Sequence, residues 1–149
     1  MDTKLRPLNI SIIGAGGIGS NTCVLLVNAL RNGVLAGHLG GIDLHLYDGD
    51  KVEEENLIHQ RFTPNQIGMT KVDALTETFS NIHPAVQVIP HSINLRDSNL
   101  LSNAHIVIVA VDRPEPRRIV HSLGDILDVK TAHIVQSYLE PSGSVNNLF

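Results

Sequence analysis

Short runs of β-branched and aliphatic residues alternate along this chain with longer segments of helical periodicity. The runs predict β-strands at residues 8–14, 42–48, 86–91, 104–112 and 132–138. The segments between them predict helices at residues 17–32, 69–82 and 115–129. Neighbouring parallel strands need a crossover connection, which is normally a right-handed helix. The alternation therefore predicts an α/β fold in which a mostly parallel sheet of about five strands carries helices on both faces.

Length and composition indicate a single domain over residues 1–149. The chain is 42% hydrophobic, which is enough for one core. Its formal net charge of -4 disfavours binding to nucleic acid or to a membrane surface. We find no signal sequence and no run of about 18 apolar residues, so we expect a cytoplasmic protein. The single cysteine, Cys23, lies in an apolar helical segment, where we expect it to be a core residue.

A glycine-rich segment, GAGGIGS at residues 14–20, follows the first predicted strand. In a parallel sheet, ligands bind beyond the carboxyl ends of the strands. Gly14, Gly16 and Gly19 match G-x-G-x-x-G, which allows a tight turn, close approach of a phosphate and packing of the next helix on the strand. The start of that helix offers free N–H groups to an anion. The pattern predicts a Rossmann-like phosphate site, although a glycine turn without a ligand is the alternative, and the pattern does not separate NAD from ATP.

A dense polar block, DGDKVEEENLIHQRF, begins at Asp48 after the second predicted strand. This acid comes later than the ribose-binding acid of a dinucleotide site, which follows the glycines by about 20 residues. Two further motifs come after it, IGMTK at 67–71 and DRPEPR at 112–117. With the glycine segment, these motifs make the chain similar to the ThiF/MoeB/HesA family, whose ATP-dependent adenylating domain is shared with ubiquitin-activating enzymes. The resemblance covers roughly residues 8–138, and HQRF resembles a compact bacterial and phage subgroup.

The resemblance implies that the chain binds ATP and Mg²⁺. It also implies a homodimer and a reaction in which the C-terminal glycine carboxylate of a ubiquitin-like or sulfur-carrier protein attacks the α-phosphate of ATP, releasing pyrophosphate. The residues that it implies for nucleotide binding are Gly14, Gly16, Gly17, Gly19, Asp48, Asp50, Asn56, Gln60 and Lys71. The residues that it implies for catalysis are Lys71, Arg61 or His59, and Asp112, which is also the implied Mg²⁺ ligand.

The chain departs from the family pattern at several positions. His59 stands where the family has an arginine, and an arginine follows two positions later as Arg61. Histidine is mostly neutral at pH 7, so either Arg61 turns into the site or catalysis is weaker. Arg113 replaces an asparagine that commonly follows the family aspartate, while Arg117 keeps the family spacing. The family's C-terminal section, with its C-x-x-C pair for zinc, is also missing from this sequence.

Two other functions remain open on the sequence alone. A truncated, non-catalytic relative would bind nucleotide or a modifier protein as a scaffold. A nicotinamide-dependent oxidoreductase is supported by the glycines only. Histidines other than His59 show no i, i+4 pair with a carboxylate or cysteine partner, so we expect no metal site from them.

Overall fold

The computed structural model describes residues 6–38, 40–111, 118 and 130–133 of the chain. The strands are β1 (Leu8–Ile13), β2 (Ile42–Tyr47), β3 (Val86–His91), β4 (Ile106–Val109) and β5 (Lys130–His133). The α-helices within these ranges are α1 (Gly17–Leu30), α2 (Val34–His38) and α3 (Lys71–Thr78). Short 3-10 helices lie at Glu54–Leu57, Pro64–Gln66 and Ser98–Leu101.

The strands form one parallel sheet in the order β3-β2-β1-β4-β5. At the centre of the sheet, Ile13 of β1 is aligned with Tyr47 of β2 and with Val109 of β4. The chain forms the β1-β2-β3 half first and then returns to the opposite side of β1 as β4. The strand order therefore reverses between β1 and β4, and the crevice at their carboxyl ends is where ligands bind in sheets of this kind.

One face of the sheet packs against α1 and α3. Ile12 of β1 and Leu44 of β2 share a buried cluster with Val27 of α1 and Leu75 of α3. Burying each such side chain contributes about 1.5–3 kcal/mol, so this cluster fixes the direction of α1 relative to the strands. Cys23 belongs to the same cluster, as expected for a core residue, and burial raises the pKa of its thiol to about 12.

A second, smaller cluster lies on the opposite face, near the carboxyl ends of the central strands. Its members are Ile13, Tyr47, Leu95, Leu101, Val107 and Val109. The segment that follows β3 supplies the two leucines. This cluster packs against the carboxyl ends of β1, β2 and β4. The loops that follow those strands therefore begin at well-packed residues.

The predicted α/β, Rossmann-like fold class is confirmed. β1, β2 and β3 lie within one residue of their predicted bounds, whereas β4 is shorter than the predicted run 104–112. The pattern misses α2, because five residues are too few to show a helical period. The helix predicted over 115–129 and the end of the strand predicted over 132–138 lie largely outside the described residues. Within the described ranges, no helix has both the length and the apolar character needed to cross a membrane.

Candidate functional site

The glycine turn, residues 14–19, lies against the end of β4. Gly14 has a φ of 98°, a left-handed conformation that favours glycine. Its N–H donates to the carbonyl oxygen of Tyr47 at 2.7 Å. A Cβ atom at Gly14 would lie 2.6 Å from Cγ1 of Val111 and 2.7 Å from the carbonyl oxygen of Ala110. A glycine is therefore required for the turn to lie directly on the end of β4.

The turn leads straight into α1, and two of its glycines, Gly16 and Gly17, face residues 59–60 at ordinary contact distance. A Cβ atom at Gly19 would lie 2.6 Å from the carbonyl carbon of Gly14, so α1 packs directly on the turn. At Gly16 and Gly17, the nearest atoms to such a Cβ are 3.9 and 3.8 Å away, in the segment 59–60. No described side chain caps the start of α1. Its first N–H groups therefore lack a side-chain partner and can bind an anion.

Asp48, the first residue after β2, is bound to the glycine turn. Its Oδ2 accepts a hydrogen bond from the backbone N–H of Ala15 at 2.7 Å. Its Oδ1 accepts from the backbone N–H of Asp50 at 2.8 Å. Each carboxylate oxygen has a further lone pair, so the half-buried group can still accept a bond from a ligand hydroxyl. The structure thus brings Asp48 and the glycine turn together, although they are far apart in sequence.

Lys71 is the first residue of α3, and its side chain is buried. The Nζ atom lies 3.8 Å from Oδ2 of Asp50, and the two side chains are 8% and 51% exposed. The backbone N–H of Lys71 also donates to the carbonyl oxygen of Asp50 at 2.9 Å, while Thr70 caps the helix by accepting from the N–H of Asp73. At 3.8 Å the ion pair is looser than a hydrogen bond, so the ammonium can reach another anion without breaking a tight contact.

The site loop, residues 53–62, lies over the start of α1. Oδ1 of Asn56 accepts from the backbone N–H of Glu53 at 2.8 Å, so this side chain shapes the loop. Oε1 of Gln60 is buried and has no hydrogen-bond partner among the described residues. A buried acceptor without a partner is costly. The Nε2 atom of the same amide lies beside Gly16, so a donor group of a molecule bound in this region would relieve the cost at Oε1.

Two polar residues of α1 hold the site loop in place. Oγ of Ser20 accepts from the backbone N–H of Arg61 at 3.2 Å. Nδ2 of Asn21 donates to the carbonyl oxygens of Gly17 at 2.6 Å and His59 at 3.4 Å. Its Oδ1 accepts from Nε of Arg61 at 2.6 Å. The sequence interpretation missed these roles, and the available signal is three consecutive polar residues, 20–22, in a mostly apolar helical segment.

His59 and Arg61, the two alternatives for the catalytic cation, are both exposed. Because Nε of Arg61 donates to Oδ1 of Asn21, the guanidinium group lies next to α1. The backbone carbonyl of His59, not its imidazole, makes the contact with Asn21.

A polar network of Asn9, His45 and His91 crosses the sheet from β1 to β3. Nδ1 of His45 lies 2.9 Å from Nε2 of His91, and Nε2 of His45 lies 3.2 Å from Oδ1 of Asn9. His91 also stacks on Tyr47, with ring centroids 4.3 Å apart. Burial lowers the pKa of both imidazoles; nearby Asp43 opposes this shift at His45, whereas His45 adds to it at His91. The network joins the polar side chains of β1, β2 and β3, and the carbonyl of His91 accepts from the N–H of Asp48 at 3.2 Å.

The predicted Mg²⁺ ligand, Asp112, lies outside the described residues, as do Arg113 and Arg117. The two residues before it, Ala110 and Val111, lie against Gly14. Among the described residues, no group of three or more histidine, cysteine, aspartate or glutamate side chains is arranged to hold a metal ion.

The sheet order and the glycine turn at the strand-order reversal define an α/β domain of the Rossmann-like class. The chain belongs to the ThiF family, whose model matches residues 2–145. It is 36% identical over 92 residues to ubiquitin-like modifier-activating enzyme 5 of Xenopus laevis, covering 62% of this chain and 21% of that protein. For the same enzyme of Oryza sativa subsp. japonica, the identity is 38% over 93 residues, covering 62% and 20%. The chain therefore spans about a fifth of the length of these relatives.

Solved structures share the fold. E. coli tRNA N6-threonylcarbamoyladenosine dehydratase, TcdA, in complex with ATP has a TM-score of 0.71 and 19% identity, covering 91% of this chain and 54% of that one. E. coli MccB crystallised with MccA has a TM-score of 0.68 and 23% identity, covering 90% and 38%. PaaA has a TM-score of 0.67 and 24% identity, covering 87% and 38%.

Proposed function

We propose that this chain is the nucleotide-binding part of an ATP-dependent adenylyltransferase that activates the C-terminal carboxylate of a ubiquitin-like or sulfur-carrier protein. The main support is the contact between Asp48 and the N–H of Ala15 beside the start of α1, which no described side chain caps. This arrangement combines an acceptor for ribose hydroxyls with a helix N-terminus for phosphates at the strand-order reversal. The family relationship and the ATP complex of TcdA agree with this assignment.

The residues present fit a nucleoside triphosphate. Asp48 accepts bonds from ribose hydroxyls, and the unpartnered Oε1 of Gln60 accepts from a further donor of the nucleotide. The N–H groups at the start of α1 bind phosphate oxygens above Gly16 and Gly17. Asn56 acts mainly by shaping the loop, since its Oδ1 is already hydrogen-bonded within it.

In the proposed reaction, a carboxylate oxygen of the carrier forms a bond to the α-phosphorus of ATP. The bond from that phosphorus to the bridging oxygen breaks, and pyrophosphate leaves with the electron pair. A carboxylate is already ionised at pH 7, so no general base is required. The protein contributes positioning and positive charge, and Lys71 is the buried cation best placed to offset charge on the phosphates. Bound Mg²⁺, with Asp112 as its proposed ligand, would supply further charge neutralisation.

A non-catalytic scaffold that binds nucleotide or a modifier protein is the second candidate. It is favoured by the exposed His59 in the position of the family arginine. This candidate shares the proposed ATP site but not the adenylation step. Pyrophosphate exchange in the presence of a carrier protein therefore separates the two.

The first experiment is calorimetric titration of the chain with ATP and Mg²⁺, and separately with NAD. We expect ATP to bind and NAD to bind weakly or not at all. Gly17→Ala places a methyl group beside the first N–H groups of α1, in ordinary contact with the carbonyl oxygen of His59, and should weaken ATP binding without unfolding the chain. Gly37→Ala is the matched control, because a Cβ atom there has nothing within 4 Å.

Tighter binding of NAD than of ATP would contradict the proposal and favour an oxidoreductase. Equal ATP affinities for Gly17→Ala and the unchanged chain would count against phosphate binding at the start of α1. ATP binding without carrier-dependent pyrophosphate exchange would favour the scaffold. Sedimentation of the chain with and without ATP tests the proposed homodimer.

A further inference from the structure

The side chain of Asn21 joins the start of α1 to the site loop. Asn21 lies one turn into the helix and donates through Nδ2 to the carbonyl oxygen of Gly17, the first helical residue, at 2.6 Å. The same nitrogen is 3.4 Å from the carbonyl oxygen of His59. Its Oδ1 accepts from Nε of Arg61 at 2.6 Å. One side-chain amide therefore connects the helix N-terminus, the loop backbone and a guanidinium group.

Arg61 is held at two points, and both are supplied by α1. Its backbone N–H donates to Oγ of the fully buried Ser20, and its Nε donates to Asn21. A guanidinium has five N–H donors, of which Nε supplies one. The terminal nitrogens have no hydrogen-bond partner among the described residues. They remain available to an anion, and their charge is fixed close to the uncapped start of α1.

A held guanidinium next to a helix N-terminus is well suited to a polyphosphate. Both groups attract negative charge, and an arginine that is already oriented loses less side-chain freedom when it binds. We infer that Asn21 is a positioning residue that holds Arg61 as a phosphate-binding cation, in place of the arginine that is missing at position 59. This inference rests on the proposed binding of ATP. It explains why an exposed arginine makes a short, directed bond to the helix instead of extending into solvent.

The test compares the dissociation constants of ATP and adenosine, measured by calorimetry on the full chain. Asn21→Ala removes the acceptor for Arg61 and should weaken ATP binding about tenfold, equivalent to about 1.4 kcal/mol, with adenosine affinity unchanged. A merely structural role would weaken both ligands equally. Asn28→Ala is the matched control, since Asn28 lies on the same helix and also bonds an arginine, with its Oδ1 3.1 Å from Nη2 of Arg31. The ratio of the dissociation constants of ATP and adenosine should not change in this control.

Arg61→Gln provides a second variant in case Asn21→Ala does not fold. It should lose the same preference for ATP over adenosine, and the double variant should lose little more than either single variant. Unchanged ATP preference in a folded Asn21→Ala chain, or in Arg61→Gln, would overturn the inference but not the proposed function. If the unchanged chain does not bind ATP, both are overturned.

Discussion

Replacing Gly19 by alanine tests the packing of α1 on the glycine turn. The new Cβ would lie 2.6 Å from the carbonyl carbon of Gly14 and closer still to the carbonyl oxygen. Ordinary carbon–carbon contacts are about 3.5–4.0 Å, so the helix would have to move by roughly 1 Å. The obstructing atoms are backbone and cannot turn aside. We therefore expect Gly19→Ala to lower the free energy of unfolding by about 3 kcal/mol, the upper end of the usual cost of overpacking.

Urea denaturation followed by circular dichroism measures this change. With a denaturant slope of about 2 kcal/mol per molar, the unfolding midpoint should fall by roughly 1–2 M. Gly37→Ala, in the short helix α2, is the control, because its Cβ meets nothing within 4 Å. It should raise stability by about 0.5–1 kcal/mol through the ordinary helix preference of alanine over glycine. Equal midpoints for Gly19→Ala and the unchanged chain would refute the close packing.

Two further predictions concern charge. Lys71→Met keeps the buried side-chain stem, and the half-exposed Asp50 can be hydrated, so the free energy of unfolding should change by less than about 1 kcal/mol. Calorimetry should nevertheless show ATP binding weakened by roughly tenfold or more, whereas Lys51→Met, at an exposed position, should have no such effect; equal affinities in the two variants would count against Lys71 as a phosphate ligand. The second prediction concerns pH, because the folded pKa of His45 and of His91 lies below the ordinary value of 6.5. The unfolded chain then binds more protons, so their stabilising contribution is present above pH 6.5 and is lost as the pH falls through the folded pKa values. Replacing both histidines by asparagine should flatten the decline of Tm between pH 7 and pH 5, and an equally steep decline would refute this assignment.

The sequence predicts the features of the site that depend on local chemistry. A Cβ atom at Gly14 or Gly19 would lie too close to neighbouring atoms, including backbone atoms in both cases, so the glycine spacing follows from the shape of the turn. Asp48 is placed correctly at the turn because parallel strands end at the same edge of a sheet, which is a rule of the fold. The partner of its carboxylate, the N–H of Ala15, is visible only in the folded chain.

The features that the sequence does not predict depend on how distant segments pack. Lys71 resembles an exposed helix residue in the sequence, yet it is buried because the backbone before α3 pairs with the loop after β2, with a bridge between Thr70 and Lys51. Asn21 gives no motif signal, because its role depends on the position of a loop some forty residues later. Gln60 fits the family pattern, but its unpartnered oxygen is visible only in the folded chain.

The two hydrogen bonds to Asp48 determine how its role can be tested. Both carboxylate oxygens accept from backbone N–H groups, so the side chain stabilises the glycine turn before any ligand arrives. An asparagine has one acceptor and would set an N–H₂ group against one of these donors. Loss of ATP binding in Asp48→Asn would therefore combine a loosened turn with a lost ribose contact. Changing the ligand avoids this problem: if Asp48 accepts from ribose hydroxyls, the unchanged chain should bind dideoxy-ATP more weakly than ATP, while the glycine turn stays intact.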